Sequence, residues 1–177
     1  REQAVAKLMK TVGVTITTRT EELDSDGAVE ESSEMVKRQP LGGSPEPVEP
    51  KDKMSGFGTP FARTKRADYD ITQSPEGKDG SRLRIAFKPK KKSEKLSFGE
   101  AIVDAATGDI ISMKLTPSKM PKHVDHMTFD IDYGEVTSRG RLMSRVTVEG
   151  SGGFLFFTKR FRAVSKFTEY DLAGVGK

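Results

Sequence analysis

The sequence predicts a mainly β protein of the α+β class, built on one curved antiparallel sheet. Apolar and polar residues alternate in several short runs, which is the period of strands with one buried and one solvated face. The turns between these runs are too short for parallel crossovers, so neighbouring strands must be antiparallel. One short stretch has helical spacing, and the length of 177 residues favours a single domain over residues 1–177.

The N-terminal segment predicts a short helix and then a hairpin. Apolar residues within 2–10 lie at helical spacing, with an acidic residue at the start and basic residues near the end. Over residues 12–22 the period changes to two, which is typical of a half-buried strand. An Asp-Gly turn within 23–27 leads into a second extended run over 28–39.

Residues 40–60 predict a long loop, because they include five of the nine prolines together with four glycines. Neither a regular helix nor a central strand tolerates that composition. Loops of this length are usually lids or disordered segments, and composition does not separate the two. We expect this Pro/Gly-rich loop to lie over the concave face of the sheet.

From residue 65 onward, strand follows strand. The alternating runs occupy residues 69–71, 83–87, 100–104, 110–115, 127–133, 142–149 and 154–167. Turn sequences at 74–80, 107–109, 138–140 and 151–153 reverse the chain between them. With the N-terminal hairpin this gives about eight or nine strands, arranged as a meander.

The apolar side chains of these strands fall on one face, and the short helix is too small to cover them. A two-sheet sandwich would bury this face, and so would a sheet that curves round it as a half-open barrel. In the second case the concavity is under-filled and becomes a ligand site by default, unless the sheet fills it with its own Phe and Met side chains. The apolar lining is predicted to consist of Phe87, Met113, Leu115, Met127, Phe129 and Ile131.

Composition excludes several kinds of chemistry. The absence of cysteine removes thiolate metal sites, iron–sulfur clusters and cysteine nucleophiles. His123 and His126 follow Pro121 at the start of a strand, where their spacing directs the side chains to opposite faces, so we predict no metal site. The nucleophile elbow, the Walker loop and the dinucleotide fingerprint do not occur in the sequence. We therefore predict that the protein is not an enzyme and has no cofactor.

The acidic residues of one strand are interpreted as ion-pair partners. Asp130 and Asp132 share a strand face, as an acid and a base would. Cross-strand pairing with arginines is the simpler explanation. The arginines expected opposite them are Arg82, Arg84, Arg145 and Arg160.

Basic residues form two clusters. The first contains Lys88, Lys90, Lys91, Lys92 and Lys95, and the second contains Lys159, Arg160, Arg162 and Lys166. A net charge of +4 does not favour nucleic acid as a partner, so we interpret the first cluster as the solvated tip of a hairpin. A membrane-surface contact of Lys90, Lys91 and Lys92 with anionic lipid headgroups is the other interpretation.

One run of residues resembles a known family. Residues 99–111, with the sequence GEAIVDAATGDII, match the hairpin pattern G-x-x-x-V-D-x-x-T-G-x-I of the bacterial LolA/LolB-like lipoprotein-sorting and carrier proteins. Residues 117–121, the strand at 124–133 and the strand at 153–161 look similar as well. The likeness extends over residues 83–170, although the lipobox cysteine is absent and the predicted helix is smaller than that family's helical lid.

The resemblance implies a half-open antiparallel barrel in the cell envelope that holds acyl chains inside. It also implies a periplasmic location, with a signal peptide removed, and a role in transport or sorting to the outer membrane. Our leading hypothesis is a non-enzymatic protein that binds a lipid, a lipoprotein acyl chain or another apolar ligand. The alternative is an interaction module with a self-filled core that binds a protein or polyanion through its basic rim or an exposed sheet edge.

Overall fold

The computed structural model describes residues 13–40, 59–61, 65–77, 79–137, 140–154 and 157–171. The predicted helix at 2–10 and most of the predicted loop at 40–60 lie outside these ranges. The strands are β1 (Gly13–Leu23), β2 (Val29–Pro40), β3 (Tyr69–Glu76), β4 (Arg82–Pro89), β5 (Ser97–Asp104), β6 (Ile110–Pro117), β7 (Val124–Asp132), β8 (Glu135–Thr137), β9 (Gly140–Leu142), β10 (Arg145–Phe154) and β11 (Phe157–Asp171). One turn of 3₁₀ helix, Arg66–Asp68, precedes β3. None of the described segments contains a helix that is long and apolar enough to cross a membrane.

Nine of the strands form one antiparallel sheet, in the order β2-β1-β11-β10-β7-β6-β5-β4-β3. The sheet is curved, and its edge strands β2 and β3 do not pair with each other, so it is not closed into a barrel. The predicted class, a mainly β protein with one curved and open antiparallel sheet, is confirmed.

The order of strands departs from a simple meander at one place. The predicted β1–β2 hairpin forms, with Gly27 at positive φ in its turn, but β1 pairs with the last strand, β11. This pairing links residues far apart in the chain, such as Ile16 and Phe167, and no local turn sequence specifies it. The connection from β2 to β3 therefore begins at one edge of the sheet and ends at the other.

The predicted turn at 138–140 belongs to an extra hairpin. We expected it to reverse the strand at 127–133 directly into the strand at 142–149. In the structure β7 ends at Asp132, the separate pair β8–β9 follows, and β10 begins with Arg145 opposite Asp132. The backbone N–H of Ser144 donates to the carbonyl of Asp132 at 2.7 Å and closes the base of this excursion.

The predicted turn at 151–153 is wrong, because these residues lie inside β10. Glycine is needed there for close approach and not for a reversal. A Cβ on Gly152 would lie 2.2 Å from the carbonyl oxygen of His123, and one on Gly150 would lie 2.7 Å from the ring of Phe161. Glycine therefore lets β7 and β11 approach β10 closely.

The β5–β6 hairpin forms where the sequence predicts it. Oδ1 of Asp104 accepts hydrogen bonds from the backbone N–H groups of Ala106 at 2.9 Å and Thr107 at 3.1 Å. These donors hold the pKa of Asp104 below its usual value. Gly108 has a φ of +78°, the left-handed conformation that this turn requires.

The two faces of the sheet differ in chemistry. On one face lie the buried core side chains Tyr69, Phe87, Ala101, Val103, Met113 and Leu115, which belong to β3 to β6. Residues that lie opposite one another in the register extend this face across the sheet, from Phe129 on β7 to Val148 on β10 and then to Ala163 on β11. Towards β1 it is mixed, because Thr20 lies opposite Ala163 whereas Ile16 lies opposite Phe167. The cluster of buried core side chains lies on β3 to β6, and Val14 on β1 and Met127 on β7 are buried outside it.

The other face carries cross-strand ion pairs. Arg84 binds the carboxylates of Glu76 at 2.8 Å and Glu100 at 3.0 Å, and its hydrogen bonds lower the pKa of Glu76. Asp130 pairs with Lys114 of β6 at 3.2 Å, so cross-strand pairing is confirmed for Asp130 with a lysine as its partner. Of the predicted arginines, Arg145 lies opposite Asp132, whereas Arg82, Arg84 and Arg160 lie opposite other residues. The Arg84 pairs are partly buried and the Lys114–Asp130 pair is more exposed, so each contributes little to stability individually.

Gly99 provides a test of the register on the apolar face. It lies between Phe87 and Leu115, and a Cβ there would be 1.9 Å from the carbonyl oxygen of Lys114. We expect Gly99→Ala to lower the free energy of unfolding by about 2–3 kcal/mol, because β5 and β6 must separate. Urea denaturation measures this loss.

The matched control is Phe98→Thr, the neighbouring residue on the opposite face, which is exposed and stays compatible with a strand. It should lower the unfolding free energy by about 1 kcal/mol or less, well below the loss expected for Gly99→Ala. If Gly99→Ala proves as stable as the unmodified chain, the close β5–β6 contact described here is incorrect.

Candidate ligand-binding face

The six residues predicted to line a groove lie on one face of the sheet. Phe87 is on β4, Met113 and Leu115 are on β6, and Met127, Phe129 and Ile131 are on β7. In the register Leu115 lies opposite Phe129, and Met113 lies opposite Ile131. Gly99 of β5 separates Phe87 from Leu115 in the same row. The six side chains therefore belong to one continuous apolar patch.

Four of these six side chains are buried. Phe87, Met113, Leu115 and Met127 expose only 3–6% of their surface. Phe129 and Ile131 are half-buried and pack against the core cluster. In this structure the four are core residues and not the walls of an open groove, and the binding of a ligand by this patch stays a prediction.

The last part of the β2–β3 connection lies against the apolar face. Pro60 is buried, and the ring of Phe61 packs edge-on against Phe87 with 5.6 Å between ring centroids. Tyr69 contacts the same ring at 6.0 Å. At residues 59–61, therefore, the connection lies against the apolar face, where the sequence predicts the Pro/Gly-rich loop, and most of the predicted loop is outside the described residues.

An open crevice lies beside this contact, at the β3 edge. It has a volume of about 290 Å³ and is lined by Pro60, Phe61, Arg66, Ile71, Gln73 and Ile85. Ile71 is 40% exposed, an unusual exposure for an isoleucine on the apolar side of a sheet. Arg66 makes no ion pair with any residue in the described ranges. The lining of the crevice thus combines apolar side chains with one guanidinium group.

Sequence reasoning placed Ile71 and Ile85 on the apolar face but missed Phe61 and Arg66. An aromatic residue directly after a proline, within a segment otherwise rich in Gly and Pro, is the signal that could have identified Phe61. Arg66 carries no such signal, because only the 3₁₀ turn before β3 brings it to the crevice.

Two further hollows contain charged side chains. One of about 460 Å³ combines Glu149 and Arg162 with the apolar Leu23 and Phe161, and one of about 390 Å³ includes Lys114 and Asp130. Their charged groups already pair with each other, for example Arg162 Nε with Glu149 at 2.7 Å. The smaller hollow is consequently a poor site for an apolar ligand, and the charges of the larger one are already neutralised.

The two histidines lie on different structural elements. His126 is in β7 opposite Ser151, whereas His123 precedes the strand with a φ of +68°, and its carbonyl accepts a hydrogen bond from Gly153 at 3.0 Å. Across the described ranges, no three His, Cys, Asp or Glu side chains are grouped closely enough to hold a metal ion.

The basic clusters differ in how far they are neutralised. Lys90, Lys91 and Lys92 lie in the exposed β4–β5 connection, the predicted hairpin tip, and Lys90 Nζ donates to the carbonyl of Ala67 at 3.0 Å. In the second cluster Lys159 pairs with Glu22 at 2.6 Å, which raises the pKa of Lys159. The second cluster therefore offers less unpaired charge to a polyanion.

Comparison with known proteins adds two solved structures. No family model matches the chain, and no curated protein is similar to it at a significant level. The chain is similar to a crystal structure of MucB in complex with MucA(peri), with 12% identity, a TM-score of 0.27, and coverage of 94% of this chain and 92% of that chain. The Pseudomonas aeruginosa MucA/MucB complex has 12% identity, a TM-score of 0.28 and the same coverage of 94% and 92%. TM-scores this low do not establish a common fold.

The core and crevice residues should differ in their effect on stability. Phe87→Ala removes a buried ring and should lower the free energy of unfolding by about 3–5 kcal/mol. Ile71→Ala removes a side chain that is 40% exposed and should cost about 1 kcal/mol or less. Urea denaturation of both variants gives the comparison, and equal losses would contradict the assignment of Phe87 to the core and Ile71 to the crevice.

Proposed function

We propose that this protein is a non-enzymatic protein of the cell envelope that binds the acyl chain of a lipid or lipoprotein on the apolar face of its sheet. The observation that carries the proposal is the crevice at the β3 edge. There Phe61, Ile71 and Ile85 form apolar walls that remain open, and Arg66 supplies a positive charge beside them. An amphiphile with one acyl chain and an anionic group matches both features.

The dimensions and energetics support an acyl chain. A volume of about 290 Å³ is at the lower limit of small-molecule sites. Each methylene that leaves water contributes about 0.8 kcal/mol, so seven methylenes would contribute roughly 5–6 kcal/mol before the costs of association. A charge-assisted hydrogen bond from Arg66 to a carboxylate or phosphate would add to this gain and fix the orientation of the chain.

The lining of the crevice supports binding without covalent chemistry. Its polar side chains are Arg66 and Gln73. A guanidinium stays protonated at neutral pH, and an amide does not titrate, so neither serves as a general base or a nucleophile there. A carrier or sorting role requires only that the ligand enters and leaves.

Two further features support an envelope role. The run at 99–111 that resembles the LolA/LolB-like carriers forms the β5–β6 hairpin, as that resemblance implies. Lys91 and Lys92 are exposed at the hairpin tip and make no ion pair within the described part of the chain. They would attract the protein to an anionic membrane surface, where about 1 kcal/mol is available for each basic residue.

The second candidate function is an interaction module. It is favoured by the exposed edge strand β2, whose outer side faces no other described strand. The basic rim favours it less, because Lys159 and Arg162 are already paired with Glu22 and Glu149.

The acyl-chain proposal is tested with dansyl undecanoic acid as a fluorescent probe. Ile71→Arg places a charge in the apolar crevice and should weaken probe binding by about tenfold or more. Thr72→Arg is the matched control, since it puts the same side chain on the opposite face of the same exposed strand and should leave binding unchanged. Fluorescence titration measures both.

A second pair of titrations isolates the guanidinium. Arg66→Ala should weaken binding of the acid by roughly tenfold but should hardly affect its uncharged methyl ester. The purified protein, extracted with organic solvent, should also release a lipid that mass spectrometry identifies. If no lipid is extracted and no probe binds, the proposal is wrong.

A further inference from the structure

The two edges of the sheet are protected to different degrees. β3 has eight residues and carries Pro75, which cannot donate to a neighbouring strand. β2 has twelve residues, Val29–Pro40, and its only proline is the last one. Residues 29–39 are all exposed, and β2 is the terminal strand of the sheet. A long edge with unpaired backbone groups is a template for adding a strand.

The side chains of β2 are also exposed in an unusual way. Met35 is 61% exposed and Val36 is 63% exposed. They are neighbours in a strand, so they point to opposite faces, and an added strand would reduce the exposure of both. Residues 32–36 contain no lysine or proline, and the charges of β2 on the apolar face, Glu31 and Lys37, lie outside this central stretch.

Charge is distributed asymmetrically along β2. Glu30, Glu31 and Glu34 lie in the first part of the strand, and Lys37 and Arg38 lie near its end. An antiparallel copy of the same strand reverses this order and places its basic end beside the acidic end of the first. β2 is therefore complementary in charge to itself.

We propose that β2 pairs antiparallel with β2 of a second copy of this chain, with Glu34 opposite the partner's Glu34. In this register Glu31 lies opposite the partner's Lys37, and Glu30 lies opposite the partner's Arg38. The two-fold axis repeats each pair, as in any isologous interface. The apolar faces of the two sheets then lie on the same side and form one continuous surface.

The charges select this register over its neighbours. When the two apolar faces lie on the same side, residues that lie opposite each other must point to the same face. Because side chains alternate between the faces, an odd-numbered residue must lie opposite an odd-numbered residue and an even-numbered one opposite an even-numbered one. The adjacent registers place Ser33 opposite the partner's Ser33, or Met35 opposite the partner's Met35. Neither creates an opposite-charge pair, whereas the proposed register creates two between Glu31 and Lys37 and two between Glu30 and Arg38. The Glu31–Lys37 pairs select the register more strongly, because Arg38 already contacts Thr15 and Glu169 of its own chain. The like-charged Glu34 pair at its centre opposes association, because Arg19, the β1 residue opposite Glu34, pairs with Glu21 at 2.8 Å.

The proposal is independent of acyl-chain binding. The crevice with Ile71 and Arg66 is at the β3 edge, and β2 is at the far edge of the same nine-stranded sheet. It gives the interaction-module candidate a specific partner, a second copy of this chain. Either proposal can therefore fail without the other.

Single cysteines test the register, because the chain has none of its own. Opposite residues of an antiparallel pair have Cα atoms about 4.5–5.5 Å apart, within the range of a disulfide, whereas diagonal neighbours are about 7–8 Å apart. Glu34→Cys should form a disulfide-linked dimer under mild oxidation, at a rate at least about tenfold above Ser33→Cys, its neighbour in the same strand. Non-reducing electrophoresis measures both rates. Equal rates for the two variants would refute the register.

Charge reversal tests the pairing itself. Sedimentation velocity should show that the unmodified chain dimerises, and that Lys37→Glu and Glu31→Lys each weaken the dimer by roughly tenfold through like-charge repulsion. Mixing the two variants should restore association, because each then presents the charge that the other needs. A chain that is monomeric at all concentrations, or variants that neither weaken the dimer nor complement each other, would overturn the proposal. Circular dichroism confirms that both variants, which change exposed residues, remain folded.

Discussion

The constraint on which this structure depends is the burial of one face of an open sheet. A nine-stranded antiparallel sheet satisfies its backbone hydrogen bonds between neighbouring strands, but it cannot bury an apolar face by itself unless it closes. This sheet does not close. The free energy of folding must therefore come from whatever packs on that face, and the apolar side chains are concentrated where such packing occurs, on β3 to β6.

The same constraint connects fold to function. The chain supplies part of the cover itself, since Phe61 packs on Phe87 after the connection has passed from the β2 edge to the β3 edge. Phe61 covers only part of the apolar face. At the β3 edge, beside Phe61, the side chain of Ile71 remains exposed next to Arg66. An open sheet also keeps two edges. β3 carries Pro75, which cannot donate a backbone hydrogen bond to a further strand, whereas the only proline of β2 is its last residue.

The parts of the molecule that are set locally could be predicted from the sequence. The period of two identified the strands, and the Thr107-Gly108 and Asp26-Gly27 turns placed the β5–β6 and β1–β2 hairpins. Features that depend on distant residues could not be predicted. The pairing of β1 with β11 has no local signature, and Gly152 resembles a turn residue although it accommodates the carbonyl of His123. The same holds for the candidate site. The alternation of apolar and polar residues predicts that Ile71 lies on the apolar face, but nothing in the local sequence predicts that Arg66 lies beside it.

The most direct test of an acyl-chain site on the apolar face is a methyl NMR titration. The protein is labelled at its isoleucine methyl groups and titrated with lauric acid. Ile71 and Ile85 line the crevice, whereas Ile102 lies on the other face of the sheet and serves as an internal reference. Binding at the crevice predicts large shifts for Ile71 and Ile85 and none for Ile102. Equal shifts for all three, or no shift at the apolar face at saturating ligand, would contradict it.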